Sequence, residues 1–390
     1  MNEESPDESN EAPQPVARPL LFRGRGATVR PDGRFESQRR EAFDDGWQQE
    51  EEQKDAEGEV ESEARLVTEL IIDTAKSVIT ENKSPDISFQ LSINPYRGCE
   101  HGCSYCFARP THSYLGLSAG LDFETKIAYK PDAVALLRKE LARKSYRCRP
   151  IALGINTDGW QPIERQLRLT RGLLEVLAEC RHPVTIVTKS ALIERDLDLL
   201  VDMARDDLVH VMFSVTTLDR KLARSMEPRA ATPQRRLDAM RKLHEAGVPV
   251  GVLFAPLIPA LNDHDMEAVF AAAKDCGADA AGYALLRLPH ELAEIFPAWL
   301  ETHVPGRAEH VMSIIRQMRG GKAYDSRFGT RMTGEGQFAE LYASRAKLAT
   351  TRLGLNKARR VLNTAAFKPP AGEKAQLQLQ PQLQSQLQLF

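Results

Sequence analysis

The sequence predicts an α/β fold: an open partial barrel of about six βα units, with an N-terminal extension and a C-terminal helical segment. Two observations predict it. Short apolar runs rich in branched residues alternate with stretches whose apolar side chains recur at helical spacing, the pattern of a parallel sheet with helices between its strands. The units number about six, short of the eight that close a barrel.

The elements follow in order. Ile87–Ile93 is the first strand-like run, and in Asp132–Leu141 the side chains Ala133, Leu136, Leu137 and Leu141 share one helical stripe. Ile151–Ile155 is the second strand, followed by a helix over about Leu167–Cys180. Val184–Val187 and Leu208–Val215 are the third and fourth, each with a helix behind it, about Asp196–Ala204 and Thr232–Ala246. Gly247 supplies a helix stop after the second of these. Val248–Phe254 and Ala280–Leu285 complete the set around a helix near Asp265–Cys276. After Pro289 the chain turns mainly helical, and Val311, Ile314, Ile315 and Met318 form a core-covering stripe. Gly320–Gly336 is a long loop rich in glycine and charge, either a lid or a plain surface loop.

Four regions are expected: residues 1–66 as a mostly disordered extension, 67–290 as the barrel core, 291–372 as the helical segment, and 373–390 as a disordered glutamine- and leucine-rich tail. The extension contains a basic stretch, Arg18–Arg34, suited to gripping phosphates of a nucleic acid but read as a solvated arm, and an acidic stretch, Asp44–Glu63. The net charge of −2 gives no global field to draw nucleic acid or membrane. No apolar run is long enough for a membrane span, the N-terminus is acidic, and the thiols look unpaired, so a cytoplasmic location is expected.

Chemistry concentrates in Asn94–Phe107, where Cys99, Cys103 and Cys106 are separated by three residues and then by two, with Tyr105 before the last thiol. Three thiolates from one loop suit three irons of a cubane and leave the fourth open, since clusters held only by protein take four cysteines. A zinc knuckle with His101 or His112 as the fourth ligand is the competing reading. Its spacing is poor, because zinc sites usually pair two close ligands with two distant ones. Cys148, Cys180 and Cys276 precede strands, so they lie at the face opposite the motif and read as structural.

The cysteine motif with its tyrosine resembles the signature of the radical S-adenosylmethionine (SAM) enzymes. Asn156–Glu164, Thr188–Ser190 and Glu227–Arg229 are similar to segments of the spore photoproduct lyase-like branch, over about Ile87–Pro289. The resemblance implies a radical SAM partial barrel, a 4Fe–4S cluster on Cys99, Cys103 and Cys106 with SAM on its open iron, and an external reductant such as flavodoxin or ferredoxin. It implies cleavage of SAM to a 5′-deoxyadenosyl radical. By the same likeness Tyr105, Thr157 or Asp158, Lys189 and Ser214 contact SAM, with Lys189 or Arg229 near its carboxylate. The spore lyase carries a hydrogen-donating cysteine on its second strand; here Ile155 stands at that position, and Tyr283 is a candidate substitute donor.

Overall fold

The computed structural model describes residues 24–31, 33–35, 66–358 and 360–370. The acidic stretch, the tail 373–390 and the residues before Gly24 lie outside them. Ten strands are present among the described residues: β1 (Glu69–Ile72), β2 (Ile79–Glu81), β3 (Leu91–Ile93), β4 (Tyr96–Arg97), β5 (Lys126–Tyr129), β6 (Ile151–Leu153), β7 (Val184–Thr188), β8 (Val209–Ser214), β9 (Val250–Leu257) and β10 (Ala280–Leu285).

Seven of them form one sheet in the order β10-β9-β8-β7-β6-β3-β2. The six from β3 to β10 run parallel, each beside its predecessor, and β2 adds an antiparallel edge. This is the expected six-unit array, unclosed, because β10 and β2 are both edges. The first strand is shorter than Ile87–Ile93 predicts: the chain turns through Asn82–Gln90, where Asn82 N donates to Gln90 O at 2.7 Å.

Helices Ala133–Leu141, Leu169–Glu179, Leu197–Ala204, Pro233–Glu245 and Met266–Asp275 cover one face. Alternation within the strands sorts their side chains: Val184 and Ile186, Val209, Val211 and Phe213, and Val250, Val252 and Phe254 enter the helix-packed core. Leu173, Leu174, Val176 and Leu177 meet them from one helix. Each such side chain, fully buried, contributes about 1.5–3 kcal/mol. The opposite face of the sheet lines the lumen of the partial barrel.

The stripe Val311, Ile314, Ile315 and Met318 is buried as expected. The loop Gly320–Gly336 reaches across the open side. Its Met332 carbonyl accepts from Leu285 N at 2.8 Å on β10, while Gly329 N and Arg331 Nε donate to Asp86, in the β2–β3 connection, at 2.6 and 2.5 Å.

A second sheet, β1-β5-β4, has no counterpart in the sequence reading. It frames the motif. β4 ends just before Cys99, β5 begins after Thr125, and the two pair antiparallel through Tyr96 with Tyr129 and Arg97 with Ala128. Both ends of the cysteine-bearing excursion are thereby fixed to one another.

Candidate active site

The cysteine loop leaves β3 and β4 at the C-terminal end of the parallel sheet, where strand-end side chains converge. Cys99 and Cys103 are buried and Cys106 half-buried. Burial pushes the Cys99 thiol well up, aided by Asp158, Cys103 and Cys106, and burial pushes Cys103 up to about 12. A metal bound by these thiols would displace their protons, so its uptake would depend on pH. Ser104, beside Cys103, keeps a buried hydroxyl with no partner among the described residues, a donor available to a cluster sulfur.

Among the described residues no three His, Cys, Asp or Glu side chains close on a single ion. Zinc would bind each sulfur at about 2.3 Å, and a cluster would bind one thiolate per iron. His112 Nε2 lies 2.9 Å from Lys126 O and its ring is edge-on to Phe123, while its Nδ1 is buried with no hydrogen-bond partner among the described residues.

The segment after β8 clasps the loop from one side. Ser104 N donates to Met226 O at 3.0 Å and Arg229 N to His101 O at 3.2 Å. Gly102, at φ +67°, packs where a side chain would come within 3.3 Å of Pro228. The Tyr105 hydroxyl donates to Glu227, which also accepts from Thr216 Oγ1 at 2.9 Å and pairs with the buried Arg236. Although burial opposes its charge, Arg236 and Lys189 hold the Glu227 carboxyl below the usual range.

Lys189 is one of the cations near the loop. Its Nζ lies 5.7 Å from the centre of the Tyr105 ring. Burial works against its charge, but Cys103 and Glu227 outweigh that and hold its pKa above the ordinary lysine value. Ser214 alternates with the core residue Phe213 and so belongs to the lumen side of β8, and its carbonyl accepts from Arg236 Nη1 at 2.9 Å.

The other candidates make contacts within the chain. Asp158 accepts from Thr188 Oγ1 at 2.9 Å, Lys189 N at 2.7 Å and Trp160 N at 2.8 Å, tying the end of β6 to the end of β7. Thr157 Oγ1 donates to Tyr96 O at 2.8 Å. Arg229 pairs with Glu100 at 3.1 Å and borders a cavity of about 460 Å³ beside the loop, together with His101, Arg165 and Arg235. Tyr283 sits in register with Phe254 and packs against the helix-covered core, so it is not a lumen donor. Ile155 is half-buried at the end of β6. Glu227 and Arg236 were outside the predicted set; the segment Glu227–Arg229 pointed to the first, and nothing in the sequence pointed to the second.

Residues 93–273 match the model of the Radical SAM superfamily. That stretch is similar to a radical SAM domain. Domains of this family use a 4Fe–4S cluster and SAM. Over 185 residues the chain is 41% identical to the uncharacterized protein Rv2578c of Mycobacterium tuberculosis, a match covering 47% of this chain and 54% of that relative. It is 28% identical over 195 residues to the uncharacterized protein MJ0683 of Methanocaldococcus jannaschii, 50% of this chain and 70% of that one. The chain thus spans about half the length of the mycobacterial relative. The partial barrel is also shared with a solved spore photoproduct lyase mutant, at a TM-score of 0.52 and 17% identity over 73% of this chain and 79% of that one, which speaks to fold alone. No helix among the described residues is long and apolar enough to cross a membrane.

Proposed function

We propose that the chain is a radical SAM enzyme in which Cys99, Cys103 and Cys106 hold a 4Fe–4S cluster, and Lys189 and Ser214 receive SAM on the lumen side. The observation that carries this reading is the placement of three buried or half-buried thiols of one loop at the mouth of a parallel sheet, with the Lys189 ammonium set against them. Once bound and reduced by an external donor, the cluster supplies the electron that cleaves SAM to a 5′-deoxyadenosyl radical able to take hydrogen from a C–H bond.

The chain's own residues do the rest. Lys189 offers a charge complementary to a carboxylate, worth most where water is excluded. Tyr105, Glu227 and Arg236 fix the loop's inner side, and Gly320–Gly336 covers the open side of the lumen against solvent. The substrate binds in that lumen. A second reading, a nucleic-acid-binding module with a structural metal site, has less to stand on: Arg25 donates to the carbonyls of Glu124 and Leu66, Arg30 pairs with Asp122, and Arg34 pairs with Glu291, so these arginines of the basic stretch turn toward the protein.

The test is anaerobic incubation with reductant and SAM, with deoxyadenosine followed by chromatography. Slow release without added substrate is expected, and none from a fully loaded chain would refute the enzyme reading. An oligonucleotide carrying spore photoproduct should not be repaired efficiently, because an isoleucine C–H at position 155 is a poor hydrogen donor. Recovery of thymine beyond a few turnovers would overturn that argument.

A further inference from the structure

Residues 24–31 lie outside the family-matched segment, and the sequence predicts a solvated arm there. Instead, Gly26, Ala27 and Thr28 are buried against the outer side of the cysteine loop. The approach is close enough that a Cβ on Gly26 would stand 1.8 Å from Gly102 O and 3.3 Å from Ser104 N, both inside the motif. Gly26 has an ordinary φ, so the contact alone demands glycine.

Glu124 joins the two segments. Its Oε2 accepts from Gly26 N at 2.9 Å and its Oε1 from Ala27 N at 2.9 Å, while Arg109 pairs with the same carboxylate. Arg109 in turn donates through Nε to Cys103 O at 2.9 Å and through Nη1 to Gly120 O at 2.9 Å. Glu124 and Arg109 are both fully buried, a setting in which each lost partner leaves a charge uncompensated. Lifting residues 24–31 would strip two donors from Glu124 and loosen the Arg109 grip on Cys103. Further along, Ser118 Oγ donates to Pro31 O at 3.2 Å.

We propose that residues 24–31 form a fixed strap that shapes the cysteine loop for its cluster and shields it from oxygen, with Glu124 as the positioning residue that couples strap to loop. The proposal rests on the reading that the loop carries a cluster.

The test uses the full chain with Gly26→Ala and Glu124→Gln, purified anaerobically. Three quantities are read: amide exchange at residues 26 and 27 of the metal-free protein, iron per chain, and the rate at which the cluster absorbance bleaches in air. In the parent the two amides should be strongly protected. Both variants should lose that protection and bleach about tenfold faster, the scale of losing one charge-assisted hydrogen bond. Glu124→Gln keeps the side-chain shape, so it reports even where Gly26→Ala fails to fold. Unprotected parent amides would overturn the strap, and so would parent-like iron content and bleaching in both variants. Protected amides in a parent that takes up no iron would overturn the cluster reading and the shielding role with it, leaving the contact itself, so the two failures are distinguishable.

Discussion

Glu227 and Arg236 form an ion pair buried behind the cysteine loop, and the same carboxylate takes hydrogen bonds from the Tyr105 and Thr216 hydroxyls. One acidic side chain thus connects the motif, the end of β8 and the helix Pro233–Glu245.

Glu227→Gln should therefore destabilise the metal-free protein by about 3 kcal/mol, the scale for removing one partner of a buried pair. Thermal unfolding of the variant checks it. An unchanged midpoint would mean that Arg236 finds another partner.

Cys99→Ala, Cys103→Ala and Cys106→Ala should each lose most of the cluster, whereas Cys148→Ala, Cys180→Ala and Cys276→Ala keep it. The first three share one loop, and the others lie before β6, β7 and β10 at the opposite end of the sheet. Iron and sulfide analysis should find about four of each in the parent. Stoichiometric zinc without iron after anaerobic reconstitution would sink the assignment.

Lys189→Ala should weaken SAM binding about tenfold to a hundredfold with iron content intact, since it removes a charge-assisted contact from a desolvated pocket. Arg229→Ala should cost less, because Arg229 already pairs with Glu100. Equilibrium binding to the loaded protein decides it; the reverse order of effects would move the SAM carboxylate to Arg229.

Stability should fall as pH drops from about 6.5 toward 4. Burial holds the His182 pKa down to about 4, with its Nδ1 at 3.0 Å from Pro183 O and Tyr146 Oη at 2.7 Å from its Nε2. The unfolded chain takes up that proton first, so stability is full above the unfolded pKa and is lost on acidification, by about 3 kcal/mol for this one group. His112, also held to about 4 mainly by burial, acts in the same direction. Unfolding midpoints across this range should show a shallower slope in His182→Gln, and an equal slope would refute the assignment.

Local pattern made the six parallel strands, their helices and the buried helical stripe after Pro289 legible. Apolar spacing records which face of an element meets the core before any partner is known. The cysteine spacing was legible for the same reason, its thiols being neighbours in the chain. Contacts made only in the fold then separated candidates that sequence treats alike: Ser214 falls on the lumen side of β8 and Lys189 lies near Tyr105, while Asp158 accepts hydrogen bonds across strand ends and Tyr283 joins the helix-covered core.

The amino-acid sequence by itself determined the sheet, its order of elements and the thiol loop. Only the tertiary structure decided what holds that loop. Tyr105 and Glu227 are 122 residues apart, and Gly26 and Glu124 are 98 apart. A carboxylate in a polar stretch reads as a solvated charge until a distant donor meets it, and a glycine-rich arm reads as flexible until another backbone presses against it. Periodicity carries no information about such partners, because a buried charge is stabilised by groups that the fold, and not the neighbouring sequence, brings to it.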